Sequence, residues 1–211
     1  MPLMENDNEP TRERTIDVLI IGAVGNQWYE LRPKYVKLSK KGMLPGNVVH
    51  YKHPPYYLPQ NRDSDRPVLA EEESVKYTRM LRNSKIVLTD SSRRKYAVRK
   101  YSEIAAAGAL IVGDIPGERE EEFRKYVVEL NSNSTDSQII ETVRWWLDHE
   151  KERIERASIG RSIAVSKYTT KVASSNMVTA MKSFISGQRG MVFPHKFSPV
   201  NHFLPKRPGC S

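Results

Sequence analysis

The stretch KIVLTDSSRRKYAVRKYSEIAAAGALIVGD, residues 85–114, decides the fold of this chain. It begins and ends with a short apolar run that is followed by aspartate, a pattern typical of strands buried in a parallel sheet. Between these runs lie a polar loop and a segment with apolar residues at helical spacing, closed by Gly108. Strand, helix and strand in this order form one βαβ unit, so the stretch predicts a parallel sheet.

The same alternation continues on both sides of this stretch. The runs IDVLIIGA, VVHY and YVVEL predict further short strands, and helical segments separate them. Right-handed crossovers then give an α/β fold with a doubly wound, mainly parallel sheet of the Rossmann-like type. In such a sheet the ligand lies beyond the carboxyl ends of the strands. Here these ends carry residues 22–25, 90–94 and 114–117.

Length and composition suit one domain with short extensions. The chain has 211 residues, of which 38% are hydrophobic and 28% charged, so two full-sized domains are not expected. We expect a disordered segment over residues 1–14, a Rossmann-like domain over residues 15–187, and an extended or disordered basic tail over residues 188–211. The only cysteine, Cys210, excludes a disulfide framework within the chain.

The expected cellular location follows from the lack of a membrane span and of a signal peptide in the sequence. No apolar run approaches the roughly 20 residues that a membrane span needs. The first residues, MPLMENDNEPTRER, are polar and acidic, which is wrong for a signal peptide. We therefore expect a cytoplasmic protein without a membrane span.

The net charge of +9 favours anionic partners such as nucleotides, nucleic acid or a membrane surface. Part of the excess is concentrated in the run SSRRKYAVRK, which precedes the central helix. A solvated surface explains such a run equally well.

Glu103 is the polar residue that the central helix does not need for packing. On a helix over residues 96–107 it lies off the buried stripe, with Arg99 and Lys100 as helical neighbours. The plain interpretation is therefore a surface ion pair, worth a few tenths of a kcal/mol. The alternative is that Glu103 faces the ligand crevice and accepts hydrogen bonds from two vicinal hydroxyls of a ribose.

The sequence around Glu103 resembles a known family. Residues 84–117, SKIVLTDSSRRKYAVRKYSEIAAAGALIVGDIPG, look like the nucleotide-sugar half of group 1-type glycosyltransferases. They are most similar to the spore-protein-like branch, whose motif reads roughly R-x-x-E-x-x-A-x-G-x-L-L-x-x-D. Residues 16–32 resemble the opening of that domain. Residues 139–169, which end in KYT, resemble its C-terminal helices. The resemblance spans residues 16 to about 172.

The resemblance implies a two-domain GT-B architecture in which this half binds a nucleotide diphosphate sugar, with no required metal or other cofactor. By the motif, Glu103 would hold the nucleotide ribose. Ser92 and Arg99 would reach the diphosphate or the sugar. Gly22 and the loop that continues through Gly25 to Asn26 would pass near the phosphates, and Arg32 is the candidate for the basic diphosphate clamp. The expected reaction is sugar transfer from the donor to an unknown acceptor.

Two features distinguish this chain from many relatives. Lys95 stands eight positions before Glu103, where they carry a glutamate that touches the sugar. The sequence before Ile16 holds no acceptor-binding domain, so we expect the chain to be incomplete as a catalyst alone. The partner supplying that domain would be a separate chain or a second copy in a homo-oligomer.

Other functions stay open at this point. A non-catalytic nucleotide-binding or interaction module of the same fold is the first alternative, and a basic nucleic-acid-binding protein is the second. Aromatic residues interleaved with basic ones in the C-terminal tail favour the latter, although a covering or disordered tail explains them better. His50 and His53 lack further ligands at metal-binding spacing. Neither a phosphate-binding P-loop nor a G-x-G-x-x-G turn occurs.

Overall fold

A computed structural model describes residues 13–24, 28–52 and 66–186 of the chain, with the backbone alone for residues 66–71. Most of the predicted N-terminal segment, the predicted tail from residue 188, and the site residues Gly25 and Asn26 lie outside the described residues, as does His53.

Five parallel strands form one sheet in the described part of the chain. The strands are β1 (Ile16–Ile21), β2 (Val48–Tyr51), β3 (Ser84–Leu88), β4 (Leu110–Gly113) and β5 (Val127–Glu129). Their order is β2-β1-β3-β4-β5, and every neighbouring pair is parallel. The predicted parallel sheet is confirmed.

Helices connect the strands and continue after the last one. They are α1 (Leu31–Lys40), α2 (Arg66–Arg82), α3 (Lys100–Ala106), α4 (Glu120–Phe123), α5 (Asp136–Asp148), α6 (Glu150–Lys167) and α7 (Thr170–Ile185). Thr135 caps α5, since its hydroxyl accepts from the backbone of Gln138 while the Gln138 side chain accepts from Thr135. This reciprocal pair is a capping box, which gives partners to two backbone N–H groups at the start of the helix.

The central helix is shorter than its sequence pattern indicates. It was expected from residue 96 and begins at Lys100. Lys95 has a left-handed backbone with φ 58°, and its carbonyl accepts from the Gly117 N–H. The residues before α3 are thus held in an irregular loop by contacts with the segment after β4, which the helical spacing of one segment could not indicate.

Alternate residues of β1 pack on opposite faces of the sheet. Val18 and Ile20 belong to the hydrophobic cluster that includes side chains of α1 and α5. Leu19 and Ile21 belong to the cluster that includes side chains of α2, α3 and α4. All four are fully buried. Helices therefore cover both faces, and the doubly wound, Rossmann-like fold is confirmed.

The chain divides into two compact units, residues 1–170 and 171–211. The first unit contains the sheet and the helices up to α6, and it carries the candidate site. α7 belongs to the second unit apart from its first residue. The domain boundary at residue 187 stays a prediction.

Neither a membrane-spanning helix nor a metal-ligand cluster occurs among the described residues. None of the described helices has the length and apolar character that crossing a membrane would require. The same residues contain no group of three or more His, Cys, Asp or Glu side chains placed to hold a metal ion.

Candidate functional site

The candidate site lies at the topological switch point of the sheet, between β1 and β3, where the order in which strands are added reverses. The chain passes from β1 through α1 to β2 on one side, while β3 and β4 extend the sheet on the other. The carboxyl ends of the neighbouring strands β1 and β3 therefore diverge into loops on opposite sides, which opens a crevice. Gly22 follows β1 and Asp90 follows β3, so the loops predicted to carry the site meet here.

Asp90 fixes the start of α1 and the side chain of Arg32. Its Oδ2 accepts from the backbone N–H of Leu31 at 2.9 Å and of Arg32 at 3.3 Å. Its Oδ1 lies 2.5 Å from Arg32 Nε, and its carbonyl accepts from Arg32 Nη2 at 2.8 Å. Burial raises the pKa of the Asp90 carboxyl, and the charge of Arg32 opposes this.

The glycine turn after β1 lies directly against Arg32. Gly22 has φ +107°, and a Cβ at this position would lie 2.5 Å from the Arg32 guanidinium carbon. The other side of the guanidinium faces the ring of Tyr29, 3.5 Å from the ring centroid. Only 1% of Arg32 is exposed. The residue predicted as the diphosphate clamp is therefore a buried cation behind the glycine turn, paired with Asp90.

Asp114 organises the loop after β3. Its carboxylate accepts from the Ser91 backbone N–H at 2.6 Å and hydroxyl at 2.5 Å, and from Tyr101 at 3.0 Å. The ammonium group of Lys95 lies 2.9 Å from Oδ2. Burial and this carboxylate raise the pKa of Tyr101 well above its ordinary value, so the phenol stays a donor. Lys95 thus pairs with a carboxylate that follows the next strand of the sheet.

Ser92 is next to this network but outside it. Its hydroxyl oxygen is buried and makes no hydrogen bond within the described part of the chain. A buried hydroxyl without a partner costs about 1–3 kcal/mol, so a bound water or ligand would stabilise it.

Glu103 has two protein partners. Arg99 Nε lies 2.7 Å from Oε1, and the hydroxyl of Tyr77, on α2, donates to Oε2 at 3.1 Å. The Glu103 side chain is 23% exposed, and that of Arg99 is 69% exposed. The helical ion pair considered from the sequence is present, while the contact with Tyr77 was not foreseen. The guanidinium of Arg99, predicted to reach the diphosphate or the sugar, lies against the Glu103 carboxylate in this structure.

Lys100 is a candidate site residue that sequence reasoning missed. Its side chain is partly buried at the start of α3, and burial together with the charge of Arg32 lowers the pKa of its ammonium group, which Glu103 opposes. No ion pair or hydrogen bond of this ammonium group occurs among residues 13–24, 28–52 and 66–186. The motif R-x-x-E contained the signal, because Lys100 stands at its first position when Glu103 is the glutamate.

Comparison with known proteins shows the fold. No family model and no curated protein matches the sequence. Sucrose-phosphate synthase from Thermosynechococcus elongatus is similar at a TM-score of 0.57 and 10% identity, covering 82% of this chain and 46% of that one. WaaG, a glycosyltransferase involved in lipopolysaccharide biosynthesis, is similar at 0.51 and 14% identity, covering 83% and 48%. The GtfA/B complex is similar at 0.53 and 14% identity, covering 82% and 37%.

These likenesses extend over most of this chain but less than half of each solved structure. At such low identity they establish the architecture alone. The chain thus has the fold of one part of these larger proteins.

Proposed function

We propose that this chain binds a nucleotide diphosphate sugar at the carboxyl edge of its sheet, as the donor-binding domain of a glycosyltransferase. The observation that carries the proposal is the ammonium group of Lys100. It is partly buried, the charge of the buried Arg32 guanidinium helps to lower its pKa, and it has no anionic partner within hydrogen-bonding distance in the described part of the chain.

The charge balance at this point favours an anion. Asp90 pairs with Arg32, which leaves the charge of Lys100 to be balanced by a more distant carboxylate and by solvent. Removing a cation from water and placing it near another cation is costly, as its lowered pKa indicates. A diphosphate would relieve both costs, since its oxygens accept charge-assisted hydrogen bonds and its charge offsets both cations. This supports a phosphate subsite between the glycine turn and α3.

Glu103 is suited to hold the ribose of the same ligand. It lies three residues after Lys100, which places both on the first turn of α3. Its carboxylate is partly exposed and accepts one contact at each oxygen, so each oxygen keeps acceptor capacity for a hydroxyl. A cation and a carboxylate one helical turn apart would suit the diphosphate and ribose of one nucleotide.

The likeness to solved structures supports the sugar-transfer part of the proposal by fold alone. One of these structures, WaaG, is described as a glycosyltransferase. The sequence motif supports membership of the spore-protein-like branch. Because the chain spans less than half of each solved structure, we propose that a separate acceptor-binding domain or a second copy of the chain completes the enzyme. We propose that Lys100 takes the electrostatic role that a metal has in other enzymes, so that the reaction needs no metal.

A second candidate function is nucleotide binding without sugar transfer. The Lys95–Asp114 pair supports it, because it stands where many relatives carry a glutamate that contacts the sugar. The phosphate and ribose contacts would be the same in this case. Only a sugar-transfer or donor-hydrolysis assay separates the two functions.

Calorimetric titration with UDP, GDP and ADP tests nucleotide binding. We expect micromolar binding of one of them, a loss of about tenfold for Lys100→Gln, the size of one charge-assisted hydrogen bond, and no measurable binding for Glu103→Ala. Lys125→Gln is the matched control, since Lys125 is exposed and precedes β5 at the opposite edge of the sheet. It should leave the affinity unchanged.

Other outcomes of these titrations would contradict the proposed donor site. If none of the three nucleotides binds, or if Lys125→Gln weakens binding as much as Lys100→Gln does, the chain has no donor site at this crevice. Salt-dependent binding of RNA that survives Glu103→Ala would instead support a nucleic-acid-binding function. If nucleotide binding is confirmed, release of sugar from the matching nucleotide sugar identifies an enzyme.

A further inference from the structure

The carboxylate of Glu103 is held from the neighbouring helix by Tyr77. The hydroxyl of Tyr77 donates to Glu103 Oε2 at 3.1 Å, across 26 residues of sequence. The ring of Tyr77 is partly buried and packs against Tyr51 of β2, with ring centroids 5.3 Å apart and an interplanar angle of 40°. α2 thus supplies a fixed hydrogen-bond donor to a side chain on α3.

We propose that Tyr77 is a positioning residue, which orients the Glu103 carboxylate so that the site prefers ribonucleotides to 2′-deoxyribonucleotides. This inference rests on the proposed function, since it concerns how Glu103 recognises the ribose. Tyr77 itself does not touch the nucleotide.

The number of acceptor positions supports this role. A carboxylate offers about two hydrogen-bond positions on each oxygen. Tyr77 occupies one position on Oε2, and Arg99 occupies one on Oε1. One position then remains on each oxygen, which is what the 2′ and 3′ hydroxyls of a ribose need. If the carboxylate rotates, the two free positions no longer match the two hydroxyls.

Tyr77 restrains the carboxylate more firmly than Arg99 does. The Arg99 side chain is 69% exposed, and an exposed ion pair within one helix contributes little because water and salt compete for both charges. The Tyr77 ring has a fixed packing environment, so its hydroxyl is already directed at Glu103 before a ligand arrives. Burial and the charge of Glu103 raise the pKa of Tyr77, which keeps the phenol protonated and donating.

Tyr51 provides a matched control for the packing contribution. It is the other ring of the stacked pair, and its hydroxyl donates to Glu73 Oε2 at 3.0 Å rather than to Glu103. Tyr51→Phe and Tyr77→Phe therefore each remove one hydroxyl from the same aromatic pair and keep both rings. Only the second removes the contact with Glu103.

The experiment compares the affinities of UDP and dUDP, and of GDP and dGDP, for the wild type, Tyr77→Phe and Tyr51→Phe. For the wild type we expect the ribonucleotide to bind more tightly than its 2′-deoxy form. Tyr77→Phe should weaken ribonucleotide binding about fivefold, the size of one net hydrogen bond. It should weaken deoxynucleotide binding less, because only the contact with the 3′ hydroxyl can be lost there. Tyr51→Phe should keep the wild-type preference. Thermal unfolding of each variant verifies that it is folded.

Two different results would overturn the inference. If Tyr77→Phe weakens both nucleotides equally, or neither, Tyr77 acts through packing or not at all, and the inference fails while the donor site stands. If the wild type binds no nucleotide, the proposed function fails and the inference with it.

Discussion

Arg32 and Asp90 form an ion pair inside the protein, with Arg32 Nε 2.5 Å from Asp90 Oδ1 and both side chains at most 3% exposed. This contact is electrostatic, because neither atom makes a hydrogen bond there. The remaining Asp90 oxygen caps the first turn of α1, and the Arg32 guanidinium supports the glycine turn at Gly22. One pair therefore joins the loops after β1 and β3, the two strands that border the candidate site.

Asp90→Asn should be strongly destabilising. The variant keeps an acceptor for the N-terminus of α1 but leaves the buried guanidinium of Arg32 without its counter-charge. Loss of one partner from a buried ion pair costs about 3–5 kcal/mol. Urea unfolding measures this cost. The double variant Asp90→Asn with Arg32→Met removes the uncompensated charge and should recover part of the loss. A cost below about 1 kcal/mol for Asp90→Asn would show that the pair is not buried in solution.

Gly22→Ala should destabilise the protein more than Gly42→Ala does. Both glycines have positive φ, +107° and +65°, so alanine is strained at either position. A Cβ on Gly42 meets no atom within 4 Å, whereas one on Gly22 would meet the Arg32 guanidinium at 2.5 Å. We expect about 1 kcal/mol for Gly42→Ala, and at least twice this for Gly22→Ala, with a loss of nucleotide binding. Equal costs in urea unfolding would contradict the close approach.

Two buried tyrosines should respond in opposite ways to loss of the hydroxyl. Tyr101 donates to the carbonyl of Asp114 at 2.7 Å and to its carboxylate at 3.0 Å. Tyr101→Phe should therefore lower the free energy of unfolding by about 1–3 kcal/mol. The hydroxyl of Tyr35 is buried and makes no hydrogen bond within the described ranges, so Tyr35→Phe should be neutral or stabilising. The two unfolding midpoints provide the measurement, and a destabilised Tyr35→Phe would indicate a partner such as a buried water.

Glu122 should make stability depend on pH in acid. Burial favours its protonated form, but hydrogen bonds from Lys167 and Tyr168 outweigh this, so the pKa of Glu122 in the folded protein lies below its ordinary value of 4.5. The stabilisation is therefore complete above the unfolded pKa and is lost as the pH falls through the folded pKa.

Glu122→Gln tests this dependence. Thermal unfolding between about pH 6 and pH 3 should show a smaller loss of stability for Glu122→Gln than for the wild type. Glu121→Gln, which changes an exposed glutamate of the same helix, is the control and should retain the wild-type slope. An unchanged slope for Glu122→Gln would contradict the contacts with Lys167 and Tyr168.

The elements of the sheet could be predicted because each depends on local patterns. The fully apolar run at Val18–Ile21 has no polar side chain to expose, so it must lie between two layers of helices. Glycine and capping residues then divide the chain into helices and strands. The start of α3 was predicted wrongly for the opposite reason, since the loop before it is shaped by Asp114, from the next strand.

The location of the candidate site could be predicted from local patterns, but the interactions between its charges could not. Glu103 stands in a motif that can be read along the chain, and Ser92 stands in the loop before it. The rules of parallel sheets placed both segments at one edge of the sheet. The motif also contained Lys100, but the charge of Lys100 became relevant to the site only through its interaction with Arg32. Sequence spacing did not indicate that the charge of Arg32 would help to lower the pKa of Lys100.

The sequence by itself determined the layered α/β architecture and the edge of the sheet that carries the site, because periodicity and glycine positions act over a few residues. Only the tertiary structure decided which charges meet. Arg32 and Asp90 are 58 residues apart, and Tyr77 and Glu103 are 26 residues apart. Contacts of this kind form where crossovers bring loops and helices together, and once water is excluded there, the nearest charges set one another's protonation and orientation.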